Sequence, residues 1–367
     1  MITKMNQILT KEIAYSKLQA FFDDKPMVLF GTGTSCAIDS RFGMAALKEH
    51  LFTEIPKQSL TETQKKEWDG VVTFLQFSND FEKAMDAIND SELIQLITNK
   101  TAAFLIQIEQ QYAIKILKGE LEWPAIALFK RLVDGLPETD RKLHVATPNY
   151  DLLAEYAFEQ ANIPYLTGFI GGICRLLDWK QCERAVTYVE AVPKGRKIGK
   201  VTKFKKHIRL YKVQGSLNTF KLNDEIVENN AWINNVPAGV ERMMPTGTSK
   251  VEWLYQNREL LGTFDNAVRD HSSFLFLGLE FNDSQLNKTL KTKLKNQKTP
   301  GLIIIRDSNE SVEGFLNECD NLWLVCKHQD NNNESTRIYN KQYKEGLYLE
   351  DKAIWKIENF TREILGV

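Results

Sequence analysis

The sequence predicts an α/β protein, a Rossmann-like doubly wound parallel sheet carrying a helical insertion and a small hairpin-containing insertion. Two observations carry that prediction. Short apolar runs of buried-strand type, at Met27 to Phe30, Leu143 to Ala146, Ser273 to Leu279 and Gly301 to Ile305, are separated by stretches of helical periodicity. Several of these runs also stop in small or polar turns, as strands do when their carboxyl ends face a ligand.

Taken in order, TKEIAYSKLQAFF (10–22) spaces its apolar residues as a helix and leads through Pro26 into the strand at 27–30. That strand ends in GTGTS, with Gly31 and Gly33 followed by Thr34 and Ser35. From Leu60 to Lys118 the pattern is helical throughout: Trp68, Val71, Val72 and Leu75 form one stripe, and Ile97, Thr101, Phe104, Leu105, Ile108 and Tyr112 another. Such stripes serve packing far more often than cofactor binding. The strand at 143–146 ends in Thr147-Pro148-Asn149-Tyr150-Asp151 and is followed by the helical LLAEYAFEQA. Residues 187–211 read as hairpin material that runs into IRLYKV and stops at Gln214-Gly215-Ser216. The run at 273–279 is bounded by Asn282-Asp283, and Leu349 to Ile364 reads as a closing helix. These patterns divide the chain into a discontinuous core (residues 1–55 and 131–330, with the hairpin insertion at about 175–210), a helical insertion at 56–130 and a C-terminal helical segment at 331–367.

Composition narrows the class. At 367 residues the chain has room for roughly two to three domains. A net charge of −1, with 43% hydrophobic and 26% charged residues, argues against a chain devoted as a whole to nucleic acid or acidic membrane. No apolar run approaches the roughly 20 residues of a membrane span, and the first residues are too polar for a signal peptide, so a cytoplasmic location is expected. The five cysteines form no C-x-x-C pair, so buried reduced thiols are expected and no metal.

The turns at the strand ends carry the functional signal. Gly31, Thr32, Gly33, Thr34 and Ser35 open a G-x-G-x-x-G pattern whose third glycine is replaced by Cys36, and no P-loop lysine follows. A cradle for a dinucleotide's phosphates and an ordinary tight bend are both compatible with it. For Asp151, an N-cap on the following helix competes with a role in chemistry. Along 194–206, Lys194, Arg196, Lys197, Lys200, Lys203, Lys205 and Lys206 occur with no acidic residue between them. A solvated hairpin is the ordinary reading of such a run, and contact with nucleic acid or an acidic partner is the sharper one.

Together the turns resemble the sirtuin-like superfamily, in its branch of bacterial NAD-consuming antiphage proteins. Val28 to Ser35 is similar to the family's G-A-G-x-S loop, Thr147 to Asp151 to its T-x-N-x-D signature, Lys212 to Ser216 to K-x-H-G-S, and Phe276 to Asp283 to the later G-x-x-F-x-D turn. The resemblance implies an NAD glycohydrolase, with NAD as substrate and ADP-ribose and nicotinamide as products. By the same resemblance Asn149 orders the attacking water or the ribose, and Asp151 orients the sugar or holds the loop. Gly31, Thr32, Gly33, Thr34, Ser35, Gly215, Ser216, Gly278, Asn282 and Asp283 would complete the NAD site. The branch also implies a homo-oligomer, often activated by a partner such as a HerA-type ATPase.

Gln214 departs from the family, which carries a general-base histidine there; an amide hydrogen-bonds a ribose but does not shuttle a proton near neutral pH. Three readings stay open: a variant impaired so as to trap its ligand, a member that binds NAD or ADP-ribose without cleaving it, and an enzyme whose good leaving group needs no base. His144 and His207 are conceivable substitutes, although strand histidines are more often packed or solvated. The paired cysteines of the deacylase zinc module are absent, which argues against lysine deacylation.

Overall fold

The computed structural model describes residues 8–78, 81–194, 197–244, 253, 257–281, 284–328 and 334–367. In chain order its strands are β1 (Met27–Phe30), β2 (Lys142–Thr147), β3 (Tyr165–Leu166), β4 (Phe169–Gly171), β5 (Arg175–Leu177), β6 (Thr187–Lys194), β7 (Lys197–Phe204) and β8 (His207–Lys212). There follow β9 (Thr219–Leu222), β10 (Glu225–Glu228), β11 (Glu241–Arg242), β12 (Phe274–Leu277), β13 (Gly301–Ile304), β14 (Leu322–Lys327), β15 (Thr336–Asn340) and β16 (Leu347–Leu349).

Nine of these form one sheet in the order β16-β15-β14-β13-β12-β1-β2-β8-β3. The run from β14 to β3 is parallel throughout, and β15 and β16 extend it antiparallel. Every residue of β1, β12 and β13 is buried, which is why these strands read as unbroken apolar runs. Alternate residues feed opposite faces. Val28, Phe30, Val145 and Leu277 pack with helices Ser91–Leu117, Ile126–Asp134, Leu153–Gln160 and Ile357–Leu365, whereas Met27, Leu29, Phe274 and Phe276 pack with Arg258–Asp270, Ser284–Lys291 and Glu310–Glu318. The predicted doubly wound α/β fold is therefore the observed one.

Topology fixes where a ligand would meet the sheet. From β1 the chain moves to β2 and β8 on one side, then returns to β12, β13 and β14 on the other. The turn after β1 therefore lies at the point where strand order reverses, where open α/β sheets bind their ligands.

The helical stretch has its own packing. Thr61 and Gln64 form a reciprocal capping box at the start of Glu62–Phe77, and Asp90 Oδ1 accepts the Leu93 N–H at 2.8 Å to start Ser91–Leu117. Trp68, Val71 and Leu75 from the first predicted stripe close a core with Leu47, Leu51 and Ile97, while Leu105 and Ile108 continue into the core beneath the main sheet.

Three features differ from expectation. Residues 331–367, read as helical, include β15 and β16 before the helix Ile357–Leu365: TRIYN pairs antiparallel with β14 and buries Thr336, Ile338, Tyr339 and Asn340 there. The predicted hairpin ends at Phe204: β6 and β7 pair along their whole length, and β8 belongs to the main sheet. A five-stranded antiparallel sheet, β11-β9-β10-β5-β4, had no counterpart in the sequence reading.

Candidate functional site

The glycine turns after β1 and β12 are packed backbone against backbone. The Gly31 N–H donates to Leu277 O at 2.9 Å and the Gly33 N–H to Gly278 O at 3.0 Å. A Cβ on Gly33 would lie 2.7 Å from Gly278 Cα, and Gly278 itself has φ +56°. These positions need glycine because two main chains touch there, whatever else they bind. Thr34 Oγ1 turns back to Gly31 O at 2.9 Å. Phe281, three residues after Gly278, also sits in the left-handed region at φ 58°, a conformation that costs a bulky residue about 1–3 kcal/mol.

Onto this pair of turns β2 delivers Asn149. Its Nδ2 donates to Gly31 O at 3.1 Å and to Ser35 Oγ at 3.2 Å, and because Gly31 O only accepts, the amide's orientation is fixed. Ser35 Oγ in turn donates to Asp151 Oδ2 at 2.8 Å. Asp151 Oδ1 accepts the Leu153 N–H at 3.2 Å, but the N-cap of helix Leu153–Gln160 is Leu152, so Asp151 stands one residue before the expected cap. Asn149 is 2% exposed, and its Oδ1 is buried with no hydrogen-bond partner. An orphaned acceptor of this kind costs about 1–3 kcal/mol, and it is accounted for where a water or ligand donates to it.

The third turn is stitched to the second. The Leu217 N–H donates to Tyr150 O at 2.9 Å, and Lys212 Nζ, at the end of β8, donates to Asp151 O at 2.6 Å and pairs with Glu155 at 3.0 Å. Gln214 is 8% exposed, and Gly215 has φ +75° with Met243 O pressed against the place a Cβ would take. Ser216 turns its hydroxyl within its own loop, to Asn218 and to Thr219 Oγ1. The structure thus gathers Gly31, Gly33, Ser35, Asn149, Asp151 and Gly278 into one bonded group, with Gln214 and Gly215 on the adjoining turn. Asn282 and Asp283 lie outside the described residues, as does Arg196 of the basic run.

Neither histidine belongs to the bonded group at this edge. His144, inside β2, contacts the Tyr211 hydroxyl at 2.9 Å, and burial next to His271 pushes it down to about 2. His207 opens β8 opposite Lys142, at the amino end of the sheet, and burial lowers its pKa as well.

Sequence reading missed two residues that hold this loop. Glu109, on helix Ser91–Leu117, accepts the Leu152 N–H at 2.7 Å, and burial pushes its carboxyl up to about 8. A charged residue beside the apolar stripe of Leu105 and Ile108 was the available signal. Lys212 stood in the quoted motif, but nothing in the sequence said that it would be buried. Burial also raises the carboxyls of Asp151 and Glu155, against the opposing pull of Lys212. Farther along the same sheet edge, a cavity of about 460 Å³ opens at the ends of β13 and β14, lined by Asp307, Ser308, Lys327 and Arg337 among others. Among the described residues no group of His, Cys, Asp and Glu is arranged to hold a metal ion, and no helix is long and apolar enough to cross a membrane.

The sequence model of the SIR2-like domain matches residues 143–323. The matched segment runs from β2 to β14 and includes the Asn149, Gln214 and Gly278 turns; Gly31 and Ser35 precede it and join it through Asn149. The match supports a sirtuin-like family and fits NAD-related activity in general. No curated protein matches the chain.

Proposed function

We propose that the chain is an NAD glycohydrolase that cleaves NAD to ADP-ribose and nicotinamide, acting as an effector of bacterial antiphage defence. The observation that carries this reading is the buried Asn149 Oδ1, unpartnered at the strand-order switch point while the same amide is anchored on Gly31 and Ser35. Breaking the nicotinamide–ribose bond builds positive charge on the sugar, and a water must be held beside it. A water that donates to Asn149 Oδ1 keeps its lone pairs for the anomeric carbon. Asp151, tethered by Ser35, is the nearby negative group that favours the developing charge. Gln214 can hydrogen-bond ribose hydroxyls without taking a proton. Gly31, Thr32, Gly33, Thr34, Gly278, Asn282 and Asp283 belong to the pyrophosphate and ribose cradle in this reading, with Gly215 and Ser216 on the adjoining turn, and the cavity at Asp307 and Ser308 suits the adenosine end. The core-and-insertion division of the chain, the homo-oligomer and the activating HerA-type ATPase belong to the proposal through family resemblance.

Gln214 favours one second reading, a subunit that binds NAD or ADP-ribose without cleaving it. Nicotinamide release by the full chain, alone and with the partner ATPase, separates the two. Glycohydrolysis predicts release that Asn149→Ala lowers by about a hundredfold or more. If NAD binds but only Gln214→His releases nicotinamide, the binding reading holds; if no form releases it, glycohydrolysis is refuted.

A further inference from the structure

Behind the Asn149–Asp151 loop, helices Ser91–Leu117 and Leu153–Gln160 and strands β5 and β10 enclose a cavity of about 340 Å³, within the range of small-molecule sites. We infer that this cavity binds a small organic cation, an amine or guanidinium on a short apolar stem.

Its lining is unbalanced in charge. The carboxyl groups of Glu109, Glu155, Glu159 and Glu228 line it with one guanidinium, Arg175, while Lys212 pairs with Glu155 from behind the wall. Arg175 pairs with Glu228 at 3.4 Å, and Thr167 Oγ1 donates to the same carboxylate at 3.0 Å. Glu155 is 7% exposed; its Oε1 meets Lys212, and its Oε2 is buried with no hydrogen-bond partner. A buried carboxylate oxygen without a partner on a cavity wall calls for a donor, and a cationic donor bonds it more strongly than a neutral one.

Burial pushes Glu109 up to about 8 and Glu228 up to about 7, and a cation bound between them would draw both back down. A metal ion does not fit, since no group of three carboxylates among the described residues is arranged to hold one. An anion would be repelled by the ionised Glu155 and Glu159 and would find Arg175 already paired with Glu228. Ile106, Ala113 and Ile114 give the cavity an apolar wall along one helix, which suits an alkyl stem. Ile114 is 56% exposed, so that wall continues to the surface and gives a way in. The site uses Glu155 and Glu228; Glu155 meets the proposed NAD site only through Lys212, and amine binding is read without NAD turnover.

The test is calorimetric titration of the full chain near neutral pH with cadaverine and with agmatine, and with pentanediol as the uncharged counterpart. At least one amine is expected to bind saturably, pentanediol not at all, and Glu155→Gln to weaken the amine by about tenfold or more. Ile114→Lys, on an exposed position, is expected to weaken it and Ile114→Glu to tighten it; this pair carries the test if Glu155→Gln does not fold. Absence of saturable binding by both amines, equal binding of pentanediol, or affinity indifferent to the sign of charge at position 114 would each overturn the assignment.

Discussion

Replacing Glu109 by Gln should change how stability depends on pH, and the structure gives both the sign and the size. Glu109 is 4% exposed, its Oε2 accepts the Leu152 N–H at 2.7 Å, and its Oε1 receives the Tyr156 hydroxyl at 3.4 Å. Burial moves the carboxyl from 4.5 up to about 8, so between those values the folded chain holds a proton that the unfolded chain has released. A folded state that binds more protons loses stability as pH rises. The favourable contribution is complete below about 4.5 and gone above about 8, a span on the order of 5 kcal/mol at about 1.4 kcal/mol per pH unit. An amide keeps a carbonyl oxygen for the Leu152 N–H and has nothing to ionise. Guanidinium unfolding from about pH 5 to about pH 9 should therefore find Glu109→Gln gaining steadily on the wild type, by several kcal/mol at the alkaline end, with similar denaturant slopes. Parallel stability curves for the two proteins would refute the reasoning, because they would mean that Glu109 is ionised in the fold throughout.

Two further outcomes follow from packing and exposure. Gly33→Ala should lower stability by about 1–3 kcal/mol, because its Cβ would meet Gly278 Cα at 2.7 Å, whereas Gly70→Ala, in a helix with nothing within 4 Å, should raise it by about 0.5–1 kcal/mol; thermal unfolding compares the two. Brief alkylation of the native chain, read by mass spectrometry, should mark exposed Cys174 first and leave Cys182, Cys319 and Cys326 for the unfolded state, since burial holds their thiols at about 11, about 11 and about 12.

The parallel core was legible because strands buried on both faces are apolar without interruption: β1 was read at its observed bounds, and β12 and β13 within two residues at each end. Its turns were legible because glycine, asparagine and aspartate cluster where a strand stops. What those glycines touch was not legible. The contact between Gly33 and Gly278 joins residues far apart in the sequence, and no local pattern encodes it. The same holds for Glu109 and Lys212, whose partners are backbone groups of a loop supplied by another element. β15 and β16 were missed because they are short and β15 buries polar residues, Thr336 and Asn340, so TRIYN lacks the unbroken apolar signal of the central strands. The cysteines were expected to be buried; Cys174 is exposed, in the turn between β4 and β5.

The central claim is that the Asn149-centred group at the strand-order switch point holds NAD. Calorimetric titration of NAD into the full chain, with Asn149→Ala as the comparison, tests it without requiring turnover. The account predicts saturable binding by the wild type and a loss of about tenfold or more in the variant, the equivalent of one well-placed polar contact. An affinity unchanged by Asn149→Ala, or no binding by the wild type, would contradict it.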